Sequence, residues 1–198
     1  AIDKMAVSNT EATVESTVDR VNSDLLDIRQ IFNAANYNIV QEFDISSEKF
    51  AEQFSLLYEV NSDKIESLAL YGNEGRLIAS EPVAVEKENI DVTGQDWYKN
   101  AESAIENVHF SVPHIQNLYE DGLYRYHWVV SLSRYVDIND GEIPGSGVLL
   151  VDMKYSVIED VLKQINDSSE GIYYYMISRD GQMIYHPRKT EMARGLFE

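Results

Sequence analysis

The apolar residues of this chain are spaced in two different ways, and the switch between them organises it. Val14, Val18, Val21, Leu25, Ile28, Phe32, Ala35 and Ile39 succeed one another at alternating steps of four and three. This is the a/d spacing of a heptad, with polar residues between. No glycine or proline precedes Gly72, so nothing interrupts it. The pattern predicts one long helix over residues 1 to about 41, whose periodic part alone spans about 39 Å. A seam of that length has to be covered. Its occupant is a second copy, giving a homodimer through the helix, or the remainder of this chain.

Beyond residue 43 the spacing shortens. Ser46 or Ser47 is placed to cap a second helix with Phe50, Phe54 and Leu57 on one face, ending near Asn61. Ile65, Leu68 and Leu70, the turn 71–75, and Leu77 with Ile78 predict a β-hairpin. Residues 82–92 show no period and are expected to be loop. Thr93-Gly94-Gln95-Asp96 opens a third helix running to about Asn107, with Trp97, Ala101, Ala104 and Ile105 inward. A weak strand is expected near Leu118–Tyr119 and a firm one over 127–133. A glycine-rich loop follows at 137–147, then the apolar strand Val148–Asp152. Ser156 to Ile165 reads as an amphipathic helix. A second hairpin, Ile172–Ile177 and Met183–His186 around Ser178–Gly181, echoes the first. The order predicts an α+β fold: a long N-terminal helix, a PAS-like antiparallel-sheet module, and the start of another.

Composition narrows the partners. The 198 residues carry a formal charge of −18, which disfavours nucleic acid and anionic lipid, since phosphates call for Lys and Arg. Cysteine is absent, so thiol catalysis and Cys-ligated zinc are excluded, and the chain suits an extracytoplasmic bacterial protein folding without disulfides. No apolar run reaches the ~18 residues of a membrane span. The start at Ala1 and the stop at Glu198, just after a hairpin, read as cuts in a longer protein.

Enzyme signatures are thin. The histidines at 109, 114, 127 and 186 have no metal-site spacing, and phosphate-cradling loops are missing. Gly145-Ser146-Gly147 is a turn rather than a nucleophile elbow, and the acids at 137–142 place glycine one position early for an EF-hand. No catalytic residue, metal or cofactor is expected. Binding chemistry is better represented. Trp97 and Tyr98 point about 100° apart on a helix, so one ring can face a cleft and offer an aromatic wall. Asp152 closes a buried strand and needs a partner, either a ligand's ammonium or hydroxyl or the following helix. His114 and Gln116 lie in a loop dense with donors and acceptors, Ser111–Asn117. Tyr126 and Trp128 belong to an aromatic-rich stretch, 110–136, and Arg134 within it offers a guanidinium to a ligand carboxylate or to a surface acid.

Taken in order, Trp97-Tyr98-Lys99-Asn100-Ala101 and Gly147-Val148-Leu149-Leu150-Val151-Asp152 behind a long helix resemble the double Cache extracellular sensor domain. The run from Phe110 through Pro113–Asn117 to Val130–Arg134 is similar to sensor histidine kinases of Gram-positive type. The resemblance implies a signalling helix over 1–43, a membrane-distal ligand-binding module over 44–168, and the beginning of a membrane-proximal module over 169–198. It carries Trp97, Tyr98 and Asp152 over as pocket residues. The branch of the family that binds amino acids has Arg where this chain has Gln95 and Tyr where it has Ile90. A sugar-like ligand, or a carboxylate held by Arg134, is therefore expected rather than an α-amino acid. The implied protein is a membrane-spanning histidine kinase with this sensor outside the cell membrane. Its rivals are a chemoreceptor and a non-sensing dimerisation or partner-binding ectodomain.

Overall fold

The computed structural model describes residues 2–105, 107–141, 143–168, 173–178 and 181–187, the side chains of 2–10 and 168 excepted. The chain divides into two compact units, one of residues 28–155 and one drawn from 1–27 and 156–198.

The long helix α1 spans Ile2–Ala35. It continues into a π-helical turn, Asn36–Val40, closed by the Gln41 amide bonding back to Asn36 O at 3.0 Å. Of the heptad positions, Val21 is buried and Ile28, Phe32 and Ala35 are wholly so. Val14 and Val18, earlier in the same pattern, are 40% and 41% exposed. Helix α2, Glu48–Val60, is capped by the Ser47 hydroxyl, which accepts from the Phe50 amide. Phe50 and Phe54 stack at 5.2 Å beneath it.

The sheet of the 28–155 unit is antiparallel. Strand β1 is Ile65–Gly72 and β2 is Leu77–Glu81. Helix α3 is Asp96–Ser103. Strands β3, His109–Phe110, and β4, His114–Ile115, are short. The long hairpin arms β5, Trp128–Asp140, and β6, Ile143–Lys154, follow. The order is β2-β1-β6-β5-β3, with β4 also on β5, so β6 is central.

Several boundaries differ from the sequence reading. Helix α3 stops four residues short of Asn107, because Ala104 leaves helical backbone (φ −140°, ψ 76°). Ile105, expected inward, is 55% exposed. The weak strand sits at His114–Ile115, while Tyr119 makes only an isolated bridge to Glu86. The loop expected over 137–147 is mostly strand: Asp137 pairs with Ser146 and Asp140 with Ile143. Gly147 serves close approach rather than a turn, since a Cβ there would lie 2.0 Å from the Tyr71 carbonyl oxygen of β1.

Side chains alternate across each strand, and the two faces bury different layers. One face gathers Ala69, Tyr71, Val148 and Leu150 against Trp97, Tyr98 and Leu118. The other carries Leu68, Leu70, Leu132, Leu149 and Val151, all buried. Tyr37, just after α1, adjoins that second face through Arg134 of β5.

In the other unit, α4 spans Ser156–Ser168 and buries Ile158, Val161 and Leu162. The Asn166 side chain clamps the Tyr174 backbone, accepting from its amide at 2.7 Å and donating to its carbonyl at 3.1 Å. The short strands β7, Met176–Ile177, and β8, Met183–Tyr185, pair as the expected hairpin. Ile172 of that reading and residues 179–180 of its turn lie outside the described residues.

Candidate functional site

A cavity of about 750 Å³ opens in the 28–155 unit between the start of β1, the loop 82–87 and the segment 115–127. Its floor is built by strand register. Ser67 of β1 and Ser131 of β5 are both Cα partners of Asp152 on β6, so alternation puts three polar side chains in a row on one face of an otherwise apolar sheet. Asp152 is 1% exposed. A carboxylate so placed needs donors, because burying it bare is costly, and it has them. The Ser131 hydroxyl reaches Oδ1 at 2.5 Å, and the Gln116 amide and the Ser67 hydroxyl both reach Oδ2. Burial pushes the Asp152 carboxyl above the ordinary carboxylate range, while these donors and the charge of His114 oppose it.

His114 extends the row. Its Nδ1 stands 2.9 Å from Val112 O, an oxygen that only accepts, so the ring proton belongs on Nδ1. Its Nε2 faces Ser131 Oγ at 3.3 Å. Ser131 therefore links the imidazole to the carboxylate, its hydroxyl donating to Asp152 Oδ1.

A tyrosine pair borders the floor. The Tyr71 and Tyr119 hydroxyls lie 3.0 Å apart, and burial pushes both well above the usual tyrosine range. Trp97 packs on Tyr71 with ring centroids 5.3 Å apart. One carboxylate oxygen of Glu86, whose charge both tyrosines feel, is buried without a hydrogen-bond partner.

The segment 121–127 forms the outer wall and is tied by one imidazole. His127 Nε2 lies 2.7 Å from Asp121 Oδ2, and its Nδ1 lies 2.8 Å from Glu66 Oε1 on β1. Arg125 adds a 3.1 Å contact to Asp121. The His127 contact, the Leu123 amide and Arg125 hold the Asp121 carboxyl down at about 2. Tyr126 stands at the mouth, 80% exposed.

The structure brings together Asp152, Gln116 and His114, with Tyr126 at the rim. It separates the other expected site residues from them. Trp97 and Tyr98 are buried in the layer between α3 and the sheet, where Tyr98 donates to Gly72 O at 3.2 Å. Neither ring lines the cavity. Trp128 and Arg134 occupy even-numbered positions on β5 and so face away from Ser131. Trp128 packs near Tyr155 at 6.0 Å, and Arg134 donates to the Tyr37 hydroxyl. The expected carboxylate clamp at Arg134 is thus on the wrong face. Ser67, Ser131, Tyr119 and His127 are not among the site residues that the sequence suggests. The signal was available for two of them, since Ser67 and Ser131 are hydroxyls at inward positions of apolar strands.

A family model for Cache domains, dCache_1, matches residues 2–197. No curated protein sequence matches the chain. Among solved structures, the ligand-binding domain of the Pseudomonas aeruginosa PAO1 amino-acid chemoreceptor PctC in complex with GABA is similar at a TM-score of 0.72 and 18% identity, over 92% of this chain and 77% of that one. The PctB domain from the same organism, in complex with L-Gln, gives 0.65 and 19%, over 93% and 69%. That of the Pseudomonas fluorescens chemoreceptor CtaA, in complex with L-serine, gives 0.66 and 20%, over 94% and 75%.

Proposed function

The chain belongs to the Cache domain family, a family of ligand-binding sensor domains, and on that premise we propose that it senses a small polar ligand outside the cell membrane for a membrane-spanning receptor. The observation that carries the reading is the base of an open pocket, where the Ser67 hydroxyl and the Gln116 amide line the cavity and a buried carboxylate lies behind them. Enclosure with a few convergent polar groups is the usual form of a small-molecule site. Ser67, Tyr119 and His127 are the groups a ligand meets there, with Gln116 over Asp152 at the base.

The ligand carries hydrogen-bond donors. Neither Arg134 nor Gln95 supplies a cavity-facing guanidinium, so recognition through a carboxylate falls to Lys87 or Arg125 at the rim. Sugar-like and amino-bearing molecules suit the floor best. The functional division we retain is a signalling helix over 1–43, a distal module over 44–168 and the beginning of a proximal module from 169. No described helix is long and apolar enough to cross a membrane.

The output we favour from the run 110–134 is a histidine kinase. A chemoreceptor is the second reading, and the solved structures similar to this chain support it, being chemoreceptor domains. The sequence following the sensor in the full-length protein separates the two.

Thermal melting against sugars, carboxylic acids and amino acids tests the site, with Asp152→Ala in parallel. A ligand at 100 times its Kd adds ~2.7 kcal/mol of stability. An upward shift that disappears in folded Asp152→Ala is the expected result. A broad panel without any shift would overturn the reading.

A further inference from the structure

The open cavity ends at Ser67 and Gln116, and Asp152 lies directly behind them, sealed from solvent. Beside the Ser67 hydroxyl, the group between Asp152 and the cavity is one side-chain amide. Gln116 Nε2 stands 2.9 Å from Ser67 Oγ and also donates to Asp152 Oδ2. An amide nitrogen has two protons, and here both have acceptors from the sheet. The Gln116 backbone is anchored separately, its amide bonding to His127 O at 2.8 Å. The side chain can therefore leave Asp152 by rotation about its own bonds while the backbone stays in place.

We propose that Gln116 is a resident plug of the Asp152 subsite, and that a ligand's ammonium or hydroxyl displaces it; this rests on the ligand-sensing reading above. A buried carboxylate cannot be left bare, and the protein gives Asp152 donors of its own: the Ser131 and Ser67 hydroxyls, borne on strands, and the neutral Gln116 amide, borne outside them. A ligand ammonium in place of Gln116 brings a full positive charge to the carboxylate, an attraction that a neutral amide lacks. A ligand that presents a carboxylate there meets a like charge and leaves the plug in position. Gln116 thus sets the class of ligand group admitted to the floor of the cavity, favouring amines over hydroxyls and hydroxyls over acids.

Two measurements on wild type and Gln116→Ala decide it, each with a melt to verify folding. The first is coupling of carboxyl groups to methylamine by a water-soluble carbodiimide, mapped by peptide mass. Asp152 should resist coupling in the wild type and react at least tenfold faster in Gln116→Ala, with exposed Glu52 unchanged as the control. Equal protection of Asp152 in the folded variant would overturn the plug. The second is the thermal shift with ethanolamine and with acetate. The variant should respond more than the wild type to ethanolamine and no differently to acetate. A weaker ethanolamine response in the variant would make Gln116 a ligand contact and sink the proposal. If neither protein responds to any probe, the sensing reading loses support, and the coupling rates still decide the plug.

Discussion

Arg134 donates to the Tyr37 hydroxyl at 3.0 Å, joining β5 to the π-helical end of the long helix on the face of the sheet opposite Asp152. The only guanidinium in the central strands is thereby committed to attaching the helix rather than to a ligand. Arg134→Ala should leave the ligand response of the domain intact. Its cost in stability should stay below about 1 kcal/mol, as for a solvent-accessible hydrogen bond, measured by urea unfolding. Loss of ligand response in a folded Arg134→Ala would contradict the placement.

The wall of the cavity should respond to acid through Asp121. Its folded carboxyl titrates at about 2, against an ordinary value of 3.8. A depressed carboxylate stabilises the folded state above its unfolded pKa, and that contribution fades as pH falls through the folded one. Melting temperatures of wild type and Asp121→Asn should therefore differ at pH 5 and converge between about pH 4 and pH 2. A constant gap across that window would show that the ties to His127 and Arg125 contribute nothing.

Trp97 matters to the site at one remove. It is 6% exposed and packs against Tyr71, whose hydroxyl meets that of Tyr119 at the cavity. Trp97→Ala should cost about 3–5 kcal/mol, the usual range for emptying a buried aromatic position. Tyr71→Phe should cost about 1 kcal/mol, the net worth of one neutral hydrogen bond. Equilibrium unfolding of both variants checks the order: a Trp97→Ala effect below that of Tyr71→Phe would contradict this packing.

Gly147→Ala probes the register of the sheet. The added methyl would meet the Tyr71 carbonyl oxygen, a backbone atom that cannot move without disturbing the β1–β6 ladder. Overpacking against backbone of this kind should cost about 3 kcal/mol, read as a lower melting temperature. Gly122→Ala, where nothing lies within 4 Å of the added atom, is the matching control.

The fold was largely legible because its signals are local. The unbroken heptad announced α1, the pair Ser46-Ser47 announced α2, and the apolar run 148–152 announced the central strand. The family resemblance followed from the order of those pieces. Where the reading failed, the deciding interaction came from elsewhere in the chain. Gly145 and Gly147 looked like turn residues until β1 was seen passing beside Gly147. Arg134 and Trp128 shared a segment with Ser131 and Ser133, and only the phase of β5 sends them to opposite faces. That phase is written in the sequence, yet it takes the paired strands to say which face is which. Asp152 was legible as a buried acid in need of partners, but those partners come from β1, β5 and the segment after β4. His127 could not be foreseen as a tie, because Glu66, one of its two partners, lies far from it in the chain, on β1.

Asp152 is borne by β6, the central strand, which has long ladders to β1 on one side and β5 on the other. The walls above it, by contrast, are held through a few isolated bonds such as Lys87 N to Leu118 O and Glu120 N to Val85 O. Deuterium uptake should divide along that line, slowest at residues 148–153 and fastest across 82–87 and 121–127. Evolution can then rewrite the chemistry of the walls piecemeal, one loop at a time, without touching the anchored palate beneath them, which is how one scaffold can come to taste many different molecules.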